Sequence, residues 1–374
     1  MFDFPFTHGS FALSLYCFVL FTLLIVFNHS SCTKLSLSRN YSKRKRFYFI
    51  LGVAVFTITC FIVGDFYNYQ ELVHNYDFSL VFTNHGEPIY GSIIKFLDRN
   101  YLLFRIVVWG GALILFLIIV KSLGLDDYKV LFYLAASYIL TFSYARATLA
   151  FSIYFLGIAL MCTPYHKSVF VRIVGVILIG VSYFFHHSMI IAIAITPIIF
   201  VPFNRRVIVI GLFLIPLFFA LFSNLINSIL INGEFLDNEE LAEQISFYAE
   251  RSTDAINWKG LIYELTNYAT FLLPVFLITY SAYFKTNRSF PFFIEVFFKI
   301  AFSLALISIM FLFLDIEGKV FFYRVLFITF IPLSIVAYYA ASNGIIKGKT
   351  YHFLIYIGLF AQYYRFLYNM YLYV

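Results

Sequence analysis

Apolar runs near the length of a membrane-spanning helix recur from one end of this chain to the other, and this recurrence constrains the fold most. A helix needs about 20 mainly apolar residues to cross the hydrocarbon core of a bilayer. The composition agrees, because 62% of the 374 residues are hydrophobic and only 12% are charged. We therefore predict an all-α, polytopic integral membrane protein, with residues 1–374 forming a single transmembrane domain.

The apolar runs predict about twelve transmembrane helices. The predicted spans are 10–27, 47–63, 101–120, 129–145, 147–162, 172–186, 189–203, 207–223, 264–284, 296–314, 325–341 and 351–371. Tight turns divide the fourth span from the fifth at Tyr144-Ala145-Arg146 and the sixth from the seventh at His186-His187-Ser188. The fifth and sixth spans form a helical hairpin, which places Arg146 and His186 at the same membrane face.

The charges predict how the chain is oriented. Most of the 26 lysines and arginines fall in one set of connectors, which is cytoplasmic by the positive-inside rule. The net charge of +7 therefore indicates orientation and not a nucleic-acid partner. Two long connectors, about 64–100 and 224–263, lie on the outer side with most of the acids, so we expect the chemistry there.

The four cysteines have no pairable or metal-ligand spacing, and we expect them to be small buried residues.

Arg146 and Arg324 are the candidate anion-binding residues. Arg146 stands in a short turn at the outer end of the fifth span, and Arg324 begins the eleventh span at the same depth. Either could be an interfacial anchor that reaches lipid phosphates. Two guanidinium groups at the same predicted depth in the membrane favour instead a fixed binding site for phosphate or pyrophosphate.

His186 and His187 follow an apolar run and precede Ser188, which could cap the next helix. They are either interfacial polar residues or, in a wet outward cavity, a proton carrier or a hydrogen-bond donor to phosphate, because imidazole titrates near neutral pH. A metal site is weakly supported, since no further ligand sits at ligand spacing.

The first long connector interleaves carboxylates with tyrosines and an asparagine, which suits a sugar-binding surface. The residues concerned are Asp65, Tyr67, Asn68, Tyr69, Glu87 and Tyr90. A solvated loop explains the acids alone equally well. In the second connector, 238–250 has the pattern of an amphipathic interfacial helix, which we interpret as a lid, with Arg251 available to the site. Arg105, one turn into the third span, could face the same cavity.

In order along the chain, these residues resemble the motifs of the EpsG-type polysaccharide polymerases, part of the wider Wzy group that includes O-antigen polymerases. The matches are Asp65 with Asn68-Tyr69, Glu87-Pro88 with Tyr90, Arg146 with Leu149-Ala150, Phe185-His186 with Ser188, and Arg324 with Phe327 and Ile331-Pro332. Ala147 stands where the family usually has Gln. The resemblance covers roughly residues 64–332.

The resemblance implies a GT-C-like membrane glycosyltransferase of the bacterial inner membrane that joins undecaprenyl-pyrophosphate-linked oligosaccharides at its periplasmic face. Arg146 and Arg324, with Arg105 or Arg251 assisting, would bind the pyrophosphate. Asp65, Glu87 or His186 would act as the base, and Tyr67, Asn68, Tyr69, Tyr90, His187 and Tyr323 would contact the substrate. The lipid-linked donor is already activated, so no cofactor is implied. A chain-length regulator and a flippase are candidate partners.

Two other functions fit a membrane protein of this kind. A lipid-linked oligosaccharide flippase or other transporter would need polar residues across the whole bilayer, whereas the inner halves of the spans look apolar. A membrane acyltransferase that modifies surface sugars would need access to an acyl donor, usually from the cytoplasmic side.

Overall fold

The protein was analysed as a computed structural model, and every described segment is built from helices and turns. The structure describes residues 8–33, 43–59, 66–76, 88–144, 147–163, 168–214, 217–218, 221, 258–286, 288, 290–311 and 325–372. Within these ranges there is no strand, and the all-α prediction is confirmed for them.

Fifteen helical segments are labelled here in chain order, with two π-helical turns and a 3-10 turn between them. They are α1 (His8–Thr33), α2 (Lys43–Thr59), α3 (Phe66–His74), α4 (Pro88–Phe96), α5 (Tyr101–Arg105), a π turn (Ile106–Gly110), α6 (Gly111–Ser122), α7 (Asp127–Tyr144), α8 (Thr148–Cys162), α9 (Val169–Phe185), α10 (Met189–Ile195), a 3-10 turn (Thr196–Phe200), α11 (205–214), α12 (Trp258–Thr279), a π turn (Tyr280–Lys285), α13 (Phe292–Phe311), α14 (Phe330–Ser342) and α15 (Gly348–Leu372).

Among the described residues, three helical stretches are long and apolar enough to cross a membrane: Tyr101–Ser122, Leu265–Lys285 and Phe292–Met310. Shorter apolar helices occupy five further stretches, which are Leu15–His29, Thr148–Cys162, Val169–Phe185, Met189–Phe200 and Phe330–Ser342. The protein therefore has the helices of a membrane protein. Helix is found within each of the twelve predicted spans, and the number that cross a bilayer stays a prediction.

The connectors that the sequence assigns to the cytoplasmic side meet at one end of the bundle, which we name the inner end. Their contacts are an ion pair of Arg46 with Asp127 and hydrogen bonds from Tyr128 to Asn28, from Thr163 to the Ser122 carbonyl and from Arg288 to the Asn343 carbonyl. The opposite end, where α7 ends and α8 begins, is the outer end. Successive long helices therefore run in alternating directions.

α8 and α9 pack closely because a glycine on each helix faces the other. A Cβ atom built on Gly157 would lie 2.6 Å from the Gly175 carbonyl oxygen, and one built on Gly175 would lie 2.7 Å from the Gly157 oxygen. Small residues allow this approach, and close packing is what holds helices together in a lipid environment. This is the predicted hairpin, and it places the start of α8 and the end of α9 together at the outer end.

The structure differs from the sequence prediction in one connector and in one span. The first long outer connector contains the short helices α3 and α4, because Val73, Tyr90 and Ile94 recur on buried faces of the two helices. The seventh span is α-helical only to Ile195 and then tightens into the 3-10 turn. Pro197 explains this change, since it has no N–H to continue the α-helical hydrogen bonds.

Candidate functional site

Most of the site residues suggested by the sequence lie outside the described residues. This applies to Asp65, Glu87, Arg146, Arg251, Tyr323 and Arg324, to the side chains of Tyr67 and Asn68 within α3, and to the lid segment 238–250. The structure does place Tyr69, Tyr90, Arg105, His186 and His187, together with the described residues on either side of Arg146 and Arg324.

Arg105 is buried, with 2% of its surface exposed, and ties α5 to the outer end of α2. Its Nε donates to the Ile58 carbonyl at 2.5 Å and its Nη2 to the Thr57 carbonyl at 2.9 Å. The guanidinium carbon also lies 4.4 Å from the centre of the Trp109 ring. Carbonyls at the end of a helix need such donors, so in this structure Arg105 supports the packing of α2. A role for Arg105 in binding pyrophosphate stays a prediction.

Tyr69 and Tyr90 belong to an aromatic group at the outer end, which we name the Trp109 cluster. It consists of Tyr69, Tyr90, Phe104, Trp109 and Phe185, with neighbouring ring centres 5.9 to 6.3 Å apart. The Tyr90 ring is 1% exposed and meets the Phe185 ring edge to face. The ring therefore contributes to packing between α4 and α9, and contact with a sugar stays a prediction for both tyrosines.

His186 and His187 form the turn between α9 and α10 at the outer end. The His186 N–H donates to the Ser182 carbonyl at 3.2 Å, and its own carbonyl accepts from Met189 N–H at 3.0 Å. The His187 ring centre lies 5.1 Å from that of Tyr183. The expected cap is wrong in its detail, because the Ser188 side chain makes no capping bond to α10. Both histidines are half-buried, beside the Phe185 that joins the Trp109 cluster.

The described residues that flank Arg146 and Arg324 pack against each other. Phe142, near the end of α7, and Phe151, in α8, both contact the Phe330 ring, with ring centres 5.7 and 5.9 Å apart. The Phe327 ring lies 5.8 Å from that of Phe271 in α12. The α7–α8 turn and the start of the eleventh span are thus neighbours at the outer end.

α8 also contacts the first part of the chain, because Leu149 packs against Gly111 at the start of α6. The first turn of α8 therefore lies between the Trp109 cluster and the Phe330 contacts. Its start is fixed by Thr148, whose hydroxyl donates to the Phe142 carbonyl at 3.0 Å.

A buried polar set that the sequence interpretation missed lies below this turn, and we name it the Arg365 cluster. Its members are Ser137, Tyr138, Thr141, Asn267, Thr270, Gln362 and Arg365, from α7, α12 and α15. Arg365 is 4% exposed and donates to the Thr141 hydroxyl at 2.7 Å and to the Asn267 side-chain oxygen. Its guanidinium carbon lies 5.4 Å from the Phe271 ring centre. One cation thereby connects three helices.

Two further contacts strengthen the Arg365 cluster. Gln362 accepts from the Leu140 N–H at 2.8 Å and donates to the Ser137 carbonyl at 2.6 Å, so its amide binds the α7 backbone twice. The Tyr138 hydroxyl donates to the Thr270 carbonyl of α12 at 2.9 Å. Burying a polar group in a low-dielectric interior is costly unless the group is hydrogen-bonded. These hydrogen bonds hold the outer half of α7 against α12 and α15.

The sequence did contain a signal for this cluster. Gln362 and Arg365 are three residues apart in one predicted span, Asn267 and Thr270 are three apart in another, and this spacing places each pair on one helix face. Ionisable residues inside a membrane-spanning helix usually face a functional interior. Arg365 stands within the last predicted span, so this pattern was visible in the sequence.

Comparison with known proteins adds no family assignment, since no family model, curated protein or solved structure matches this chain. The candidate site is therefore defined by its own geometry. A buried cation and its polar partners hold the outer half of α7 in place, and Arg146 follows α7 closely in the chain.

Proposed function

We propose that this protein is a polysaccharide polymerase, a glycosyltransferase that joins oligosaccharide repeat units carried on undecaprenyl pyrophosphate. The proposal places it in the bacterial inner membrane, with its active face toward the periplasm. The single observation that supports it best is the packing of Phe142 and Phe151 on Phe330, because these residues flank Arg146 and approach the segment that begins at Arg324. The described residues on either side of Arg146 thus pack against the segment that follows Arg324 in the chain.

The proposed reaction requires two kinds of protein group. A hydroxyl of the incoming unit attacks the anomeric carbon of the growing chain, and the bond from that carbon to the pyrophosphate oxygen breaks. The leaving pyrophosphate gains negative charge, which Arg146 and Arg324 stabilise as cations already in position. Asp65 or Glu87 takes the proton of the attacking hydroxyl, and His186 contacts a phosphate.

The Arg365 cluster has a supporting role in this proposal. Its guanidinium is buried and bound to Thr141 and Asn267, so it acts on the position of α7 and not on the substrate directly. Thr141 precedes the α7–α8 turn by less than one helical turn. A site for a dianion needs cations held within fractions of an ångström, and fixed helix ends provide that rigidity.

The proposal is tested by replacing Arg146 and Arg324 separately with alanine in cells that make the long polymer. Each variant should abolish the ladder of long chains, since loss of one fixed charge-stabilising donor typically lowers a rate about 100-fold or more. Lys95→Ala is the matched control, because Lys95 is an exposed cation of the predicted outer side that belongs to α4. Full-length polymer from both normally expressed arginine variants would contradict the proposal.

A deletion strain separates this function from the transport alternative. Loss of a polymerase leaves single repeat units attached to the lipid A core, whereas loss of a flippase leaves none. Loss of an acyltransferase would leave the chain lengths unchanged and alter only the acyl content of the polymer.

A further inference from the structure

A basic cavity of about 440 Å³ opens at the inner end of the bundle, far from the candidate site. It lies between the connector that precedes α11 and the connector that follows the second π turn. Its lining residues are Phe203, Asn204, Arg205, Arg206, Ala282, Tyr283 and Arg288. Three of these seven residues are arginines, which makes this cavity a candidate site for an anion.

Two of the three guanidinium groups are fixed to the protein through one nitrogen each. The Arg205 Nε donates to the Tyr283 carbonyl, and the Arg288 Nη1 donates to the Asn343 carbonyl at 3.0 Å. A guanidinium has five N–H donors, so one such bond orients the group without using most of its capacity. The three arginine side chains are exposed at the cavity surface.

The local backbone adds to the positive potential of the cavity. Asn204 caps α11, because its side-chain oxygen accepts from the Val207 N–H at 3.0 Å. Arg205 and Arg206 consequently occupy the first turn of α11, where the helix dipole disfavours cations and favours anions. A bound anion would relieve this unfavourable placement.

The nearby carboxylate of Glu295 does not cancel the positive charge of the cavity. Glu295, whose charge acts on Tyr283, is bound to Lys299 at 3.1 Å, and Lys299 also donates to the Ile199 carbonyl at 3.2 Å. The glutamate is thus neutralised by a lysine of its own helix.

The surface beside the cavity is apolar and open to the surroundings. Ile210, Phe213 and Leu214 of α11 are 53%, 70% and 57% exposed, and Phe284 of the second π turn is 39% exposed. Such a surface suits hydrocarbon chains. A cationic cavity beside an exposed apolar face matches a ligand that has a phosphate at one end and acyl chains at the other.

We propose that this cavity binds the phosphate headgroup of an anionic phospholipid, with its acyl chains lying along α11 and the second π turn. The purified full-length protein in detergent is incubated with phosphatidylglycerol, with phosphatidylcholine or with inorganic phosphate. Bound lipid is counted by native mass spectrometry, and thermal unfolding is followed in parallel. The proposal predicts retention of phosphatidylglycerol and a rise in Tm that phosphatidylcholine does not give.

The test variant is the double substitution Arg206→Gln and Arg288→Gln. Each neutralised cation should weaken phosphatidylglycerol binding about fivefold, and the pair about 25-fold, since a basic residue near an anionic lipid contributes about 1 kcal/mol. The matched control is Arg44→Gln with Arg172→Gln, which removes two exposed arginines from the first turns of α2 and α9. This control should bind phosphatidylglycerol like the unmodified protein.

Three results would overturn the proposal. The two double variants could lose lipid equally, which would indicate attraction to positive charge in general. Inorganic phosphate could stabilise the protein as much as phosphatidylglycerol, which would make the ligand a free anion. The unmodified protein could retain phosphatidylcholine and phosphatidylglycerol alike, a result that does not depend on whether any variant folds.

Discussion

Arg105 and Arg365 are both buried guanidinium groups toward the outer end of the bundle, but the partners they bind on other helices differ in kind. Arg105 donates to the main-chain carbonyls of Thr57 and Ile58 and, within its own helix, to the Tyr101 hydroxyl at 3.3 Å, whereas Arg365 donates to the side chains of Thr141 and Asn267. Carbonyls at a helix end require donors whatever the local sequence is. Side-chain acceptors exist only where the sequence supplies them. From this difference we predict that Arg105 supports the packing of α2 and that Arg365 supports the candidate site.

The largest effect is expected from Arg365→Leu, which removes the cation and leaves the Thr141 and Asn267 oxygens buried. Each buried acceptor without its donor costs about 1–3 kcal/mol, and the end of α7 loses its link to α12 and α15. We expect both a lower Tm in detergent and loss of the long-chain ladder. Arg365→Lys keeps the charge and should retain part of the thermal stability and part of the long-chain polymer. An unchanged Tm with full-length polymer from Arg365→Leu would show that Arg365 does not support the candidate site.

Arg105→Leu should have a smaller effect on the polymer, because it acts on stability alone. It removes the bonds to α2 and the contact with the Trp109 ring, and a cation–π contact of this sort is worth about 0.5–2 kcal/mol. We expect a lower Tm and less folded protein, but normal polymer per folded molecule. Chain length and membrane protein level are measured in the same cells. A normal level of folded protein with no polymer would place Arg105 at the substrate, as the resemblance implies.

The smallest effect is expected from Gln362→Leu, which removes two hydrogen bonds to the α7 backbone and leaves Arg365 with its partners. Hydrogen bonds between membrane helices average about 0.6 kcal/mol, so the Tm should fall slightly and polymer should still form. Gln362→Met removes the same two bonds at nearly the same side-chain length, so it serves as the control for size. If Gln362→Leu were as severe as Arg365→Leu, the amide would be the main support of α7.

The helices were predictable because their signal is local. Apolar runs of sufficient length indicated each predicted span, and the charged connectors indicated which ends meet. The helices in the first outer connector were missed, since α3 and α4 are nine residues each and only burial against other helices reveals their apolar faces. The 3-10 turn after α10 had a visible signal in Pro197.

The candidate site was harder to predict, because its contacts join residues that are far apart in sequence. Arg365 and Thr141 are 224 residues apart, and no periodicity within one helix indicates which neighbour a polar side chain will meet. The placement of Arg105 was hard to predict for the same reason, since the main-chain carbonyls that it binds belong to α2. The sequence predicted which residue types lie toward the outer end, and packing decided which of the described ones are buried.

Whether Arg146 and Arg324 act on one pyrophosphate is measured by a double-mutant cycle on ligand binding. Binding of undecaprenyl pyrophosphate to the purified protein is measured by titration calorimetry for the unmodified protein, Arg146→Ala, Arg324→Ala and the double variant. The account predicts that each single variant binds more weakly and that the two losses are not additive, with a coupling energy of about 0.5–3 kcal/mol. Additive losses, or unchanged binding in either single variant, would contradict it.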